Sequence, residues 1–371
     1  MTTCCAAVAR GANQPFTIEQ LTVDGPRAGE VLVQIAGVGL CHTDLVFRDQ
    51  FDAFAKPGVL GHEGAGVIEA VGEGVTGLAA GDRVVLGFSS CGECARCAED
   101  LPSYCVQFVP LNYAGMRLDD GSTAHAAHDG ERVSSHFFGQ SSFATLAVTR
   151  ARNVVKVPDS TTVPLELLGP LGCGLMTGAG AVMNSMACKA GSSLIVFGGG
   201  PVGLAAVMAG KVRECSQIIL VEPVASRRAI AQELGATHVI DPADGDLGEA
   251  IRAILPLGVD AALDTTGNVA VIETGLGNLA PHGIIGLVGV PRDMTASVTF
   301  NIAALMTPGL RIIGIIEGDA VPQDFIPELL ALNAQGRFPF ERMVQTFPLS
   351  RINEAIDAQA RGDCIKVVLI P

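Results

Sequence analysis

Four cysteines crowd into one short stretch of this chain. Cys91, Cys94, Cys97 and Cys105 follow the spacing C-x2-C-x2-C-x7-C. Four thiolates on one loop can close a tetrahedral shell around Zn²⁺, which accepts an all-sulfur set with no open position. Such a site is structural and would pin a long loop that has little core of its own. Disulfides between cysteines three residues apart are strained and disfavoured in a reducing compartment. An iron–sulfur cluster is the stronger rival, because C-x2-C-x2-C also opens the bacterial ferredoxin run. That run continues with three residues and a Cys-Pro, whereas here seven residues intervene and Val106 follows. The spacing favours zinc.

A second set of ligand types is dispersed. Cys41 opens Cys41-His42-Thr43-Asp44, directly after an apolar run; His62 and Glu63 lie in Gly61-His62-Glu63-Gly64; Cys173 ends Leu171-Gly172-Cys173. Two thiolates and one imidazole would leave the fourth zinc position free for water or substrate. Asp44 could accept the other ring N–H of His62 and fix its tautomer. Each residue alone also has a plain explanation, since a lone buried Cys behaves as a small hydrophobe. Dispersed ligands carry no fixed interval, so spacing leaves both readings open.

The third signal is glycine. Gly198, Gly200 and Gly203 match G-x-G-x-x-G, after the apolar run Leu194-Ile195-Val196-Phe197 and ahead of a helical segment. In that context Gly198 permits the tight turn, Gly200 admits a pyrophosphate to the backbone, and Gly203 lets helix and strand pack closely. The pyrophosphate would meet free N–H groups at a helix N-terminus. Glu222 ends the next strand, 19 residues after Gly203, where an acid binds adenosine ribose hydroxyls and repels a 2′-phosphate. NAD is therefore expected over NADP, with Arg227 and Arg228 close behind as a counterweight. No G-x-S-x-G elbow and no G-x-x-x-x-G-K-[ST] loop occurs, so serine hydrolysis and P-loop phosphoryl transfer are unsupported.

These residues need a scaffold. Before Pro164 the chain reads as short strands between glycine turns: Glu30–Val38, Gly64–Val71, Asp82–Phe88, Phe143–Thr149 and Asn153–Val157. After it, strand-like runs at Ser193–Phe197, Gln217–Val221, His238–Ile240, Asp260–Leu263, Ile284–Val288 and Arg311–Ile315 alternate with helix-length segments. One of those, Ala225–Leu234, closes on Gly235. Alternation of this kind means βαβ units and a parallel sheet. A last strand, Ile365–Ile370, ends the chain.

Composition sets the outer limits. With 371 residues, 49% hydrophobic and 17% charged, the chain supports two packed domains rather than disorder. Twenty-four basic against 38 acidic residues give a net charge of −14, which repels phosphate backbones and anionic lipid heads. Nucleic acid and membrane are poor partners. The uncharged stretches Ala190–Gly210 and Leu167–Cys188 are long enough to span a bilayer, but Gly and Pro break both. No secretory signal is visible at the N-terminus, so a cytoplasmic location is expected.

Taken together, the CHTD segment, Gly61-His62-Glu63-Gly64-Ala65-Gly66, the four-cysteine loop, Leu171-Gly172-Cys173-Gly174 and the glycine fingerprint resemble the zinc-containing medium-chain alcohol dehydrogenases over essentially the full chain. The segments from His136 to Ala144 and from Glu166 to Gly174 resemble the aryl-alcohol (benzyl alcohol) branch, shared with bacterial dehydrogenases of allylic terpene alcohols such as geraniol. The resemblance implies an α/β protein. A GroES-like, β-rich catalytic domain (1–174 and 316–371) would flank a Rossmann doubly wound parallel-sheet coenzyme domain (175–315).

It also implies a catalytic zinc on Cys41, His62 and Cys173, hence two Zn²⁺ per chain, with Glu63 near the metal and Thr43 hydrogen-bonding the alcohol. His42 and Lys366 match positions that place cations near the coenzyme pyrophosphate. Phe88, Phe137 and Phe138 are candidates for an apolar substrate pocket, with core packing as the alternative. Where many animal members carry a histidine that ends a proton relay, this chain has Val46. The implied reaction is reversible oxidation of a primary alcohol by NAD⁺ in a homodimer or homotetramer. Glutathione-dependent formaldehyde dehydrogenase, a broad aliphatic or cyclic alcohol dehydrogenase and a non-catalytic zinc- and NAD-binding relative are the alternatives; a polyol or threonine dehydrogenase is disfavoured, since those generally put an acid where Cys173 stands.

Overall fold

The computed structural model describes residues 2–50 and 54–371. The chain divides into two compact units, Met1–Cys173 with Val321–Ala331 and Glu341–Pro371, and Gly174–Ala320 with Leu332–Phe340.

The first unit is built on two sheets. The larger runs Val344–Pro348, Lys366–Ile370, Glu30–Gly39, Gly64–Val71, Arg83–Leu86, Val154–Lys156, and Leu146–Arg150 also pairs with Glu30–Gly39. Glu30–Gly39 is its hub, bonded to three strands, which is why its sequence EVLVQIAGVG is apolar nearly throughout instead of alternating. The smaller sheet runs Gly58–Val59, Thr2–Ala9, Thr17–Val23, His125–Ala127. The sequence reading missed Thr2–Ala9 and Thr17–Val23: the first is a run of small residues whose strand character comes from pairing with the second and with Gly58–Val59.

The second unit is a six-stranded sheet ordered His238–Ile240, Gln217–Val221, Ser193–Phe197, Val259–Asp264, Leu279–Leu287, Arg311–Gly314, with every pair parallel. Counted within the unit this is the 3-2-1-4-5-6 order of a doubly wound sheet. Helices Pro201–Val212, Ala225–Leu234, Leu247–Ile254 and Val269–Gly277 supply the crossovers. Ser193–Phe197 is buried at every position, and Ile195 and Phe197 sit in a core with Ile219, Val221, Ala262 and Ile285.

Boundaries differ from the sequence expectation in two places. Ile315 still hydrogen-bonds to Leu287, and the turn Glu317–Asp319 packs on Gly174–Gly180, so the second unit runs on to Ala320 rather than ending at 315. Residues 332–340 also return to it. The uncharged stretch 190–210 resolves into a strand, a turn and a helix, and among the described residues no single helix is long and apolar enough to cross a membrane.

Candidate active site

Cys41 caps the N-terminus of the helix His42–Asp49, where the chain leaves the hub strand. Asp44 ties three groups together. One carboxylate oxygen accepts from Cys41 N–H at 3.0 Å, and the other accepts from Gly61 N–H at 3.0 Å and meets His62 Nδ1 at 2.8 Å. A single buried acid thus caps the helix, holds down the next loop and fixes the imidazole. His62 is buried and its Nε2 has no hydrogen-bond partner among the described residues. An orphaned buried nitrogen is costly unless something binds it.

One ligand atom each from Cys41, His62, Glu63 and Cys173 lie within 4.8 Å of one another. The hydrogen bond from Cys173, opposed by burial and aided by His62, holds the Cys41 thiol well below the usual thiol range. Burial works against a charged His62, but Asp44 and Cys41 outweigh it and push its pKa well up. Burial raises the Glu63 pKa against the opposing pull of Lys366, with which it forms an ion pair. A soft, thiolate-forming pair beside an oriented imidazole is a donor set that fits zinc. Thr43 Oγ1 lies 3.7 Å from the Cys41 sulfur.

The four-cysteine loop forms a second cluster. Its sulfurs also lie within 4.8 Å of one another, with Cys91 to Cys97 and Cys94 to Cys105 both 3.9 Å. A tetrahedron with Zn–S bonds of about 2.3 Å has edges of about 3.8 Å, so these separations fit a ZnS₄ centre and exclude disulfides. Backbone N–H groups of Cys91, Cys94 and Gln107 point at the sulfurs at 3.2–3.4 Å. Backbone donors from Cys97 and Val106 bring the Cys94 thiol down to about 6.

In the second unit, Gly198 takes φ +98°, a conformation costly for any residue with a Cβ, and a Cβ on Gly203 would run into the Gly198 carbonyl. Nothing lies within 4 Å of the place a Gly200 Cβ would occupy, and Pro201 starts the helix there. Glu222 is 3% exposed. Its two oxygens accept from Gly199 N–H at 2.6 Å and Val224 N–H at 2.9 Å, with Arg227 Nη1 3.9 Å away. The acid therefore anchors the glycine turn itself.

Residues 27–159 match the Alcohol dehydrogenase GroES-like domain family, and residues 201–335 the Zinc-binding dehydrogenase family. Geraniol dehydrogenase of Castellaniella defragrans is 48% identical over 367 residues, covering 98% of this chain and 97% of the relative. The chain belongs to the zinc-dependent alcohol dehydrogenases. An alcohol dehydrogenase zinc-binding domain protein from Burkholderia ambifaria superposes with a TM-score of 0.96 at 50% identity, covering 100% of this chain and 99% of that one. Benzyl alcohol dehydrogenase from Acinetobacter calcoaceticus superposes at 0.94 with 41% identity and the same coverage. The aryl and allylic branch, the GroES-like plus Rossmann architecture and the family's use of zinc and NAD follow from these matches.

Within this dehydrogenase, the structure brings Phe137 and Phe138 to the ligand set. Phe138 stacks on the His62 ring at 4.3 Å and 21°, and Phe137 meets it edge-on at 5.5 Å and 85°. Phe88 stands one ring further out, against Phe108, which in turn meets Phe138. Phe47, Phe108 and Tyr113 complete an aromatic layer that sequence reading did not find, because its members come from three segments far apart along the chain, His42–Asp49, Phe108–Tyr113 and Phe137–Gly139. Lys366, matched to a coenzyme-facing position, has its buried ammonium on Glu63 and the Leu40 carbonyl; His42 is exposed. Val46 is buried and apolar.

The largest omission is Gln140. Fully buried, it donates to the carbonyls of His62 at 2.9 Å and Gly87 at 3.2 Å, and accepts from Gly64 N–H at 3.0 Å and Ser142 Oγ at 2.5 Å. It clamps both sides of the His62–Glu63 turn. Nothing in its neighbourhood along the chain signals this, since three of its four partners lie more than fifty residues away.

Proposed function

We propose that this alcohol dehydrogenase reversibly oxidises a primary aromatic or allylic alcohol, of benzyl alcohol or geraniol type, to its aldehyde by hydride transfer to NAD⁺. The observation that carries the substrate class is the aromatic layer laid directly on His62, with Phe138 stacked on the ring and Phe137 at its edge. Flat π-faces beside the ligand set favour a flat, unsaturated side chain over a saturated one. The names of the geraniol and benzyl alcohol relatives support the same reading.

Cys41, His62 and Cys173 would hold the catalytic zinc, and Cys91, Cys94, Cys97 and Cys105 the structural one. When bound, the catalytic zinc polarises the alcohol oxygen as a Lewis acid and NAD⁺ accepts the hydride. The chain's own groups do the rest. Asp44 keeps the proton of His62 on Nδ1, which leaves Nε2 free to ligate. Thr43 Oγ1, beside the Cys41 sulfur, accepts the hydroxyl proton of the substrate as it hands its own proton on. With Val46 apolar, the proton handed on passes by the nicotinamide ribose to water rather than through a histidine. Glu63 stays paired with Lys366 and supplies negative charge near the metal. Gly198, Gly200 and Gly203 cradle the pyrophosphate, and of the two cations the resemblance assigns to it His42 is exposed, while Lys366 is held inside the first unit on Glu63 and the Leu40 carbonyl. Glu222 disfavours a 2′-phosphate, while Arg227 tempers that preference.

The strand Arg311–Gly314 at the edge of the parallel sheet and the exposed Met294, Phe300, Ile302 and Met306 before it support self-association into a homodimer or homotetramer. Six ligand cysteines that must remain thiolates suit the cytoplasm.

A panel of benzyl, cinnamyl, geranyl, linear and cyclic alcohols, followed by NADH formation and repeated with NADP⁺, tests the reading. Benzyl, cinnamyl or geranyl alcohol should give the highest kcat/KM, without added glutathione and with NAD⁺ preferred. Highest activity on linear or cyclic alcohols, or an absolute need for glutathione, would overturn the substrate class; no turnover with any alcohol would overturn catalysis.

A further inference from the structure

Five cysteines stand outside the two ligand sets: Cys4, Cys5, Cys188, Cys215 and Cys364. Two of them meet inside the coenzyme-type unit. Cys188 lies in the loop that enters the strand Ser193–Phe197, and Cys215 in the loop that enters its parallel neighbour Gln217–Val221. In-register pairing, with Ser193 opposite Gln217, sets these two entries side by side. Hydrogen bonds lace them together: Arg213 Nε donates to the Cys188 carbonyl, Gly191 N–H to Glu214 and Ser216 N–H to Ser192, each at 2.9 Å. Ser216 Oγ adds a bond to the Gly191 carbonyl at 2.7 Å.

Within that frame the two thiols lie close enough to interact, and each shifts the titration of the other in the opposite sense. Cys188, buried, is the group that keeps its proton, while Cys188 and the Arg213 guanidinium bring the half-buried Cys215 down. Cys4 and Cys5 show the contrast: as neighbours in one strand they point to opposite faces, and burial pushes Cys4 up to about 12.

We propose that Cys215 and Cys188 form a peroxide-reactive pair, nucleophile and resolving thiol, that closes to a disulfide across the entry edge of the parallel sheet. The oxidant is hydrogen peroxide or an alkyl hydroperoxide. The Cys215 thiolate attacks one peroxide oxygen, the O–O bond breaks, and water or alcohol leaves, so that Cys215 becomes a sulfenic acid. Cys188 then gives up its proton and its sulfur attacks the Cys215 sulfur. The S–O bond breaks, a water leaves, and the disulfide forms. Two thiols have lost two electrons and two protons to one peroxide. A dithiol reductant reverses the step by thiol–disulfide exchange.

Geometry fixes the consequence. The glycine fingerprint begins at Gly198, at the other end of the five-residue strand Ser193–Phe197, roughly 16 Å away. The bridge therefore leaves coenzyme binding alone. It closes a loop holding that strand and the helix Pro201–Val212, which restricts the unfolded chain and stabilises the second unit.

The test treats the zinc-loaded enzyme with stoichiometric hydrogen peroxide, alkylates the remaining thiols and maps unreduced peptides by mass spectrometry. Expected are one linked pair, Cys188 with Cys215, a Tm raised by several degrees that dithiothreitol restores, and unchanged NAD⁺ affinity. Cys215→Ser should abolish both the link and the Tm rise, and Cys188→Ser should leave a dimedone-reactive sulfenic acid on Cys215. Wild-type enzyme in which both cysteines stay alkylatable, or in which Cys215 oxidises to a sulfinic acid without a link, overturns the pair.

Discussion

The four-cysteine loop and the set around His62 both gather sulfur, and they do it by opposite means. In the loop all four ligands fall between Cys91 and Cys105, two of them half-buried and two buried, and backbone N–H groups of the loop steady the sulfurs. Around His62 the ligands run from Cys41 to Cys173 and sit almost wholly inside the protein, oriented by the side chains of Asp44 and Gln140. The loop offers four sulfurs, which saturate a tetrahedral ion; the His62 set offers two sulfurs and a nitrogen, which leave it a site for substrate. A closed site can be made locally because it need only hold a metal. An open one needs a wall around its free position, and here the wall is the aromatic layer on Phe137 and Phe138.

The contrast breaks most cleanly by removing one sulfur from each side. Cys41→Ala should lower kcat/KM by about a thousandfold or more, since the polarising ion goes with its ligand. Metal analysis should fall from about two zinc ions per chain to about one, while NAD⁺ still binds. Cys97→Ser should cost roughly 4 kcal/mol or more in stability, read by denaturant titration, because a structural ion contributes folding energy outright. Turnover of the fraction still folded should change far less than in Cys41→Ala. Equal losses of turnover in the two variants would erase the distinction.

A finer cut leaves every ligand in place. Gln140→Leu removes four hydrogen bonds, two of them to the His62 turn, and strands the Gly64 N–H and two carbonyls. Zinc affinity of the His62 set should weaken by about 10- to 100-fold, with the cysteine loop still loaded. Competition with a chelator, followed site by site through cobalt(II) absorption, reads the difference.

The smallest effect is a pH slope. Burial depresses the pKa of His125 to about 4 and of His136 to about 3, both in the first unit. Unfolded, each ring would take a proton near pH 6.5. Below that pH the unfolded chain therefore binds more protons than the folded one, so stability falls as pH drops from about 6.5 towards 4. Each histidine adds about 1.4 kcal/mol per pH unit in that window. His136→Asn should flatten the slope by that amount, measured by urea unfolding between pH 4.5 and 6.5.

How much could be read along the chain depends on the same contrast. The cysteine loop and the glycine fingerprint show themselves because their members are covalent neighbours. Even the helix cap at Cys41-His42-Thr43-Asp44 is local. His62 and Cys173 were candidates by residue type that spacing left open and only the resemblance assigned, and Gln140 was no candidate at all, because a buried amide carries no mark of the carbonyls it will meet. The strands Thr2–Ala9 and Thr17–Val23 escaped for a related reason, their character resting on each other.

By itself the sequence determined the residue types, the intervals within each motif and the alternation that demands a parallel sheet. Those depend on bond lengths and on dihedral preferences that hold over a few residues. Only the tertiary structure decided that Cys41, His62 and Cys173 converge, that Phe138 covers the imidazole, that Glu222 turns back on Gly199, and that the loops carrying Cys188 and Cys215 lie side by side. Such meetings are set by strand pairing and burial between residues from about twenty to more than a hundred positions apart, where no local rule fixes the distance.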